Sequence, residues 1–354
     1  MAEKELNLKF PLDIYKNKTV LVTGHTGFVG SWLTLWLNRL GAKVIGYSLE
    51  PLDNPNLFDS LNLRDRIIHI RGDVTIYPEL HCVFRDYNPE FVFHLAAQPI
   101  VRQSYKVPRL FYDTNVMGTV NVLEALRCSN SAKTAVIFTS DKCYENIGVG
   151  RGYTETDRLG GRDPYSSSKA CAELVTRAYR DSFNMSCSLS TVRAGNIIGG
   201  GDWSVDRLIP DFVQALQSNK SITLRYPAAF RPWQYVLDAV FGLLTLGSAM
   251  DRSGKSYEGA WNFSMDSSCT TVESLVKLLI KYWGSGNYSI DTSPQPHEDV
   301  MLNLDSSKSH NLLGWNPRLT VDEMIERAVC WYKQFYDVVD MFDVSINEIK
   351  EYGD

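Results

Sequence analysis

The sequence predicts an α/β fold, a doubly wound parallel sheet with a smaller C-terminal α/β lobe. Three observations predict it. Short apolar runs alternate with helical patterns through the N-terminal half. Those runs are continuously apolar, as strands covered on both faces are. The first run ends in a glycine-rich turn that leads straight into a helical pattern.

Taken in order, residues before about 17 read as a polar lead-in. TVLVT at 19–23 is a β-rich run that ends at a glycine. Residues 28–40 carry Leu33, Trp36, Leu37 and Leu40 at helical spacing. KVIGYSL at 43–49 is the next strand, and 67–70, 91–95 and 135–139 follow as further strands. Helices at 77–87 and 109–127 fit between them. This alternation implies right-handed βαβ crossovers and a parallel sheet. After Arg193 glycine and proline become frequent, at Gly199, Gly200, Gly201, Pro210, Pro227 and Pro232. Helical patterns return at 236–248, 272–282 and 321–342. The expected division is a sheet domain over 1–194 and a lobe over 195–354, with the chain rejoining the sheet domain at about 232–264.

Composition narrows the class. A chain of 354 residues suits two domains of roughly 150 residues each. With 44% apolar and 22% charged residues, disorder, collagen-like repeats and a coiled-coil rod are excluded. The formal charge of −5 argues against a general nucleic-acid surface. It leaves room for a small phosphate-bearing molecule, which helix N-termini and local arginines can hold. The seven cysteines (Cys82, Cys128, Cys143, Cys171, Cys187, Cys269, Cys330) include no Cys-x-x-Cys pair, and the six histidines show no ligand spacing. Reduced thiols and no metal are expected. The opening MAEKELNLKF has no apolar core, and the apolar stretch at 239–250 is too short to span a bilayer. A soluble cytoplasmic protein is expected.

The turn after the first strand reads Gly24-His25-Thr26-Gly27-Phe28-Val29-Gly30. Glycines let backbone approach a ligand closely, and the following helix offers free N–H groups to a pyrophosphate. The spacing is G-x-x-G-x-x-G, a variant of the general dinucleotide fingerprint of Rossmann-type sheets. An acidic residue about twenty positions on binds ribose hydroxyls in such folds. Glu50 has that spacing, with Ser48 as the other occupant of the strand end. Nothing basic in the local sequence greets a ribose 2′-phosphate, which favours NAD over NADP. Asp73 is placed to bond adenine or to cap a turn.

Tyr165 and Lys169 stand at i and i+4, on one face of a helix. A nearby ammonium favours the phenolate and lets a tyrosine act as a base. Ser140 at the end of the preceding strand completes the group.

These segments, with TSDKCYEN (139–146), GGRDPYSSSK (160–169), RAGNIIGGGDWSVDRLIPD (193–211) and RPWQYV (231–236), resemble the extended short-chain dehydrogenase/reductases. Within them the resemblance is to the sugar-nucleotide 4,6-dehydratases that act on CDP-glucose. It implies a NAD-binding Rossmann domain and a nucleotide-sugar-binding lobe. It also extends the cofactor site to Val74, Leu95, Ala96, Ala97 and Thr114. It implies a homodimer or homotetramer and a place in making deoxysugars of bacterial surface polysaccharide such as O-antigen.

The strand before the tyrosine helix ends in Ser140-Asp141-Lys142, where simpler members carry small or hydroxylated residues. The resemblance explains the charges as acid and base for water elimination. Hydride passes from carbon 4 of the hexose to NAD+, Tyr165 serves as base, Asp141 protonates the leaving hydroxyl on carbon 6, and hydride returns to carbon 6. Asp141 then needs a raised pKa in a dry pocket. Many relatives carry glutamate where Lys142 stands, so Lys142 is expected to be the carbon 5 base or to stabilise the enolate, with Glu145 an alternative base. An ion pair of Asp141 with Lys142 or Arg193 is the structural alternative.

For the nucleotide sugar the resemblance implies Asn196, Arg207 and Leu208, Arg231 as the pyrophosphate arginine, and Asn262 and Glu298 toward ribose or base. A guanidinium meets phosphate oxygens two at a time. His94 reads as a core histidine and Cys143 as packing. Trp203 and Trp233 are open between stacking on cytosine and joining the lobes. The final helical pattern, with Met324, Ile325, Val329 and Tyr332, reads as core. Two other readings remain: a nucleotide-sugar 4-epimerase or oxidoreductase, and a non-catalytic NAD-sensing scaffold.

Overall fold

The computed structural model describes residues 10–148, 150–265, 270–291, 293 and 302–353. In its N-terminal part β1 (Thr19–Thr23), α1 (Phe28–Arg39), β2 (Lys43–Ser48), the short α2 (Leu57–Ser60), β3 (Ile68–Arg71), α3 (Tyr77–Tyr87) and β4 (Phe91–His94) follow one another. Next come α4 (Val101–Lys106), α5 (Pro108–Tyr112), α6 (Gly118–Arg127), β5 (Thr134–Phe138), α7 (Pro164–Ser182) and β6 (Ser188–Ala194). The remainder holds β7 (Asn196–Ile198), α8 (Leu208–Gln217), β8 (Ile222–Leu224), β9 (Phe230–Arg231), β10 (Trp233–Tyr235), α9 (Val236–Ser253), β11 (Gly259–Phe263), β12 (Thr270–Thr271), α10 (Val272–Trp283), β13 (Tyr288–Ile290), α11 (Val321–Tyr336) and α12 (Met341–Tyr352).

The main sheet has seven strands in the order β11-β6-β5-β4-β1-β2-β3, and every pairing in it is parallel. The chain starts at β1, steps outward to β3, then returns to β4 on the other side. The strand order therefore reverses between β1 and β4, the switch point where such sheets open a crevice for ligands. Short strand pairs β7 with β10, β8 with β13 and β9 with β12 lie outside this sheet.

Both faces of the sheet are covered. On one, Leu80, Phe84, Val122, Leu126 and Leu189 pack together, drawn from α3, α6 and β6. On the other, Trp32 and Trp36 of α1 join Phe241 of α9, Trp331 of α11 and Tyr352 of α12 in one larger core. The same core contains Phe212 of α8 and Leu275 of α10, so the lobe is welded to the sheet by continuous apolar burial. No helix among the described residues is long and apolar enough to cross a membrane.

Three local features depart from the expected elements. The single helix expected at 109–127 runs as α5 and α6 joined by a π-helical turn at Asp113–Met117. The single helix expected at 321–342 is two: α11 stops at Tyr336, Val338 takes φ 59°, and Asp340 caps α12 by accepting the Phe342 N–H. The sixth strand, Ser188–Ala194, is polar at Ser188, Ser190, Thr191 and Arg193 and carries no apolar run, yet all its residues are buried.

Candidate active site

The turn after β1 is held by close backbone contact. Gly24 has φ +75°, and a Cβ there would lie 2.6 Å from Ala96 N. A Cβ on Gly30 would lie 2.1 Å from Gly24 O. These two glycines are therefore required by space, and Gly24 by its left-handed backbone as well. Gly27 precedes the first turn of α1. Thr26 Oγ1 donates to Leu49 O over 3.0 Å and is hydrogen-bonded to Ser48 Oγ over 2.9 Å, which ties the loop to the end of β2. The result is a backbone cradle at a helix N-terminus, open to an anionic diphosphate.

Beyond the cradle, β2 ends at Ser48. Glu50 lines the cleft but is ion-paired with Arg64 over 2.7 Å and approaches His69 at 3.6 Å. No basic residue was expected at this edge; the fold brings Arg64 there from a turn fourteen residues on, and Glu50 neutralises it. Asp73 lines the cleft with Val74, and its Oδ1 also accepts the Thr75 N–H over 2.8 Å. Turn capping and ligand contact are thus compatible in one carboxylate. The His25 ring packs on His69, with Nε2 and Nδ1 2.7 Å apart, in space that a Cβ on Gly46 would occupy.

A cleft of about 1310 Å³ joins this cradle to the lobe. Gly24, Thr26, Gly27, Phe28, Val29, Gly30, Leu95, Ala96, Ala97 and Thr114 line it on the cradle side. Ser140, Asp141, Lys142, Tyr165 and Lys169 line it beyond. The last five meet because β5 delivers the first three from the carboxyl edge of the sheet, while α7 starts opposite. Asp163 caps α7 by accepting the Ser166 N–H over 2.9 Å, with Pro164 in the first turn. That start places Tyr165 and Lys169 one turn apart on the buried face.

Ser140 Oγ donates to Asp141 Oδ1 over 2.8 Å and accepts the Lys142 N–H over 3.2 Å. Asp141 Oδ1 also accepts the Lys142 N–H over 2.8 Å. Burial raises the Asp141 carboxyl above the ordinary range, opposed by the charges of Lys142 and Arg231. Burial likewise pushes Tyr165 up to about 12, opposed by a hydrogen bond with Ser140. Burial lowers Lys169 to about 8, and its Nζ donates to Phe138 O over 3.2 Å. The expectation that Lys169 lowers Tyr165 is therefore not met in the chain alone: burial governs both groups, and the ammonium is turned to the end of β5.

On the lobe side Asn196, Arg207, Leu208 and Arg231 line the same cleft. Asn196 pairs in β7 with Trp233 of β10. Arg207 Nη1 lies 3.0 Å from Asp202 Oδ2. Trp203 and Trp233 reach the cleft but are engaged in packing. Trp203 lies against Tyr332, Phe335 and Tyr336, and Trp233 Nε1 donates to Thr270 O.

Two expected positions are corrected. Asn262 is wholly buried outside the cleft; its Nδ2 donates to Tyr153 O and Asp305 O, and its Oδ1 accepts from Tyr144. Glu145 is exposed outside the cleft, 3.6 Å from Arg158. Glu298 lies outside the described residues. The ion pair of Asp141 with Arg193 is absent as well, because Arg193 is paired with Glu173 over 2.7 Å.

Several cleft residues had no sequence signal. Arg102 of α4 reaches Asp206 at 3.4 Å across the cleft. Asp211, raised to about 6 by burial and by Asp206, lies beside them. Behind the cleft wall, Asn115 in the π-helical turn accepts the Gln98 N–H and donates to Ser168 Oγ over 2.8 Å, stitching the segment after β4 to α7. Arg102 and Asp206 are 104 residues apart and Asn115 and Ser168 are 53 apart, so only the assembled fold reveals these contacts.

Known proteins share this sequence pattern and this fold. The family described as GDP-mannose 4,6 dehydratase matches residues 21–328. The chain is 42% identical over 349 residues to the CDP-glucose 4,6-dehydratase of Salmonella typhimurium, covering 96% of this chain and 97% of that protein. Among solved structures, an epimerase from Methanothermobacter thermautotrophicus superposes with a TM-score of 0.81 at 24% identity, over 92% of this chain and 95% of that one. A dTDP-glucose 4,6-dehydratase from Bacillus anthracis in complex with NAD superposes with a TM-score of 0.76 at 23% identity, over 93% and 99%. With a cradle, a tyrosine–lysine pair and a charged strand end in one cleft, the chain belongs to the GDP-mannose 4,6 dehydratase family.

Proposed function

We propose that this chain converts CDP-D-glucose to CDP-4-dehydro-6-deoxy-D-glucose and water with tightly bound NAD. One observation carries the reading: a buried carboxyl, Asp141, shares a cleft with Tyr165 and Lys169 and accepts a hydrogen bond from Ser140. Epimerisation or simple oxidation needs only the tyrosine and lysine. A carboxyl kept out of water and raised in pKa is the acid that a departing hydroxyl requires. The identity with the Salmonella enzyme supports CDP-glucose as the substrate.

The cradle fits a dinucleotide: glycine backbone at Gly24, Gly27 and Gly30 lines the cleft at the N-terminus of α1, where free N–H groups meet a diphosphate. Gly24, Thr26, Gly27, Phe28, Val29 and Gly30 hold the diphosphate, Ser48, Asp73 and Val74 the adenosine, and Leu95, Ala96, Ala97, Thr114, Tyr165 and Lys169 the nicotinamide end. When bound, NAD supplies the acceptor for the carbon 4 hydride and its donor to carbon 6.

Tyr165 takes the proton of the carbon 4 hydroxyl, with Ser140 hydrogen-bonded beside it. The resulting ketone acidifies carbon 5. Lys142 serves carbon 5, as the cation that stabilises the enolate or as the base that forms it. Asp141 protonates the carbon 6 hydroxyl, which leaves as water. Asn196, Arg207, Leu208 and Arg231 hold the nucleotide diphosphate. Exposed apolar residues Leu110, Met117 and Leu174 on neighbouring elements support a homo-oligomer formed through this side. Described cysteines that form no disulfide suit a cytosolic setting.

The test is incubation with CDP-glucose and no added cofactor. Formation of a 4-keto product, read by its alkaline ultraviolet band, supports the dehydratase. An unchanged substrate with saturating NAD+ supports a scaffold, and a galacto product an epimerase. For Lys142, the Lys142→Met variant is followed for carbon 5 exchange in heavy water; wild-type exchange and turnover remove it from the mechanism.

A further inference from the structure

The stretch from Asp202 to Arg207 borders the cleft as a strap between β7 and α8, and both its ends are anchored in the lobe. At its start Tyr332 Oη donates to Asp202 O over 2.7 Å, and Trp203 is buried against Tyr332 and Phe335. At its end Arg207 O accepts the Asp211 N–H in the first turn of α8. Between these anchors Val205 is half exposed, and Asp206 takes a left-handed backbone with φ 61°, which is costly for a residue with a side chain. At that point Arg102 Nη1 meets Asp206 Oδ1 at 3.4 Å.

Arg102 belongs to the opposite wall. Its helix α4 follows β4 through a segment that Asn115 holds, accepting the Gln98 N–H and donating to Gln98 O. Ser104 on the same helix is buried. The sheet side of the pair is therefore fixed, and the strap is the side that can give. The strap carries Asp202 and Asp206, with Asp211 close behind, against the cation of Arg207. Asp211 is raised to about 6 by burial and then by Asp206, a sign of crowded negative charge. Arg102 supplies a compensating positive charge from across the cleft. Arg207, next in the chain to Asp206, lines the same cleft 3.0 Å from Asp202.

Resting on the proposed dehydration, we propose that Arg102 is a positioning residue: its ion pair with Asp206 clasps the strap to the sheet domain, seats Arg207 over the nucleotide diphosphate and holds the sugar nucleotide in the cleft until the hydride is returned. The reaction demands such retention. After oxidation at carbon 4 the bound sugar is a 4-ketone and its hydride is on the cofactor. Loss of the sugar at that stage would leave the chain holding reduced cofactor and unable to begin a new cycle. Both partners of the clasp are partly exposed. An ion pair of that kind shifts an equilibrium by up to about fivefold. That is enough to slow escape of an intermediate and weak enough to let product leave.

The test uses the full chain and two readouts. The first is dissociation of CDP, followed by stopped-flow intrinsic fluorescence. Arg102→Met and Asp206→Asn are each expected to release CDP about fivefold faster than wild type, and the double variant to match either single one. Arg102→Lys keeps the cation and is expected to stay within about twofold of wild type. The second readout is turnover of CDP-glucose. Arg102→Met and Asp206→Asn are expected to show a raised KM and to accumulate the near-ultraviolet absorbance of NADH as cycles abort, with urea midpoints unchanged. Additive losses in the double variant, unchanged CDP release, or a loss that tracks a lowered urea midpoint overturns the clasp. Slower release from Asp206→Asn with faster release from Arg102→Met makes Arg102 a direct ligand of the phosphates and overturns it too. If wild type forms no 4-keto product, the functional reading fails, and CDP release alone decides the clasp.

Discussion

Arg193 Nη2 lies 2.7 Å from Glu173 Oε2, and both side chains are almost wholly buried. Glu173 Oε1 accepts the Thr139 hydroxyl, one residue before Ser140, and Oε2 accepts the Thr191 hydroxyl. Arg193 Nη1 donates to Tyr144, which in turn donates to Asn262. The pair therefore braces both ends of the segment that carries Ser140, Asp141 and Lys142. Removing one member leaves the other charge buried and alone, at a cost of about 3–5 kcal/mol. Glu173→Gln is expected to lose stability in that range by urea unfolding. Adding Arg193→Met to it should recover part of the loss, which a mere cavity effect would not do.

The glycine turn has no room for a methyl group. Gly30→Ala would set its Cβ 2.1 Å from Gly24 O. Displacement of the Gly24 carbonyl opens the cradle at the helix N-terminus. NAD binding, followed by quenching of intrinsic fluorescence, is expected to weaken by about 100-fold or more, roughly 3 kcal/mol.

Lys169 is lowered from 10.5 to about 8 by burial. Between those values the unfolded chain holds more protons than the folded one, so stability rises with pH through that window. Below about pH 8 the folded chain carries the full cost of a buried ammonium. Lys169→Met is therefore expected to be more stable than wild type at pH 7 by ~2 kcal/mol, with the advantage fading by pH 10.5, while turnover is lost. Urea unfolding at the two pH values reads the difference.

Glu348 on α12 is raised from 4.5 to about 8, chiefly by burial and secondarily by Glu351, and its Oε1 makes no hydrogen bond among the described residues. The folded chain holds the extra proton here, so stability falls as pH rises from 4.5 toward 8. Glu348→Gln is expected to stabilise the chain by ~2 kcal/mol at pH 9 and to have little effect at pH 4. A gain of equal size at both pH values would point to packing instead of charge.

Elements built from near neighbours were legible in the sequence. The glycine turn, the helix bearing Tyr165 and Lys169, and the strand end Ser140-Asp141-Lys142 each lie within a short span, and local geometry alone sets their type and spacing. The strand–helix alternation then required a parallel sheet, and its switch point put those spans at one edge. Helix interruptions were less legible. The π-helical turn at Asp113–Met117 and the break before Asp340 sit inside patterns whose apolar spacing continues, so periodicity carries no mark of them.

The sequence by itself determined the glycine turn, the tyrosine–lysine helix and the charged strand end that one crevice collects. Tertiary structure decided their state and their partners. Asn262 was drawn inward to Tyr144, Arg64 was brought to Glu50, and Arg193 was given to Glu173 instead of Asp141. Burial, a property of the whole packed chain, raises Asp141 and Tyr165 and lowers Lys169. The reason is physical: backbone pattern is a local consequence of residue type, whereas desolvation and ion pairing depend on atoms that become neighbours only when distant segments close over one another.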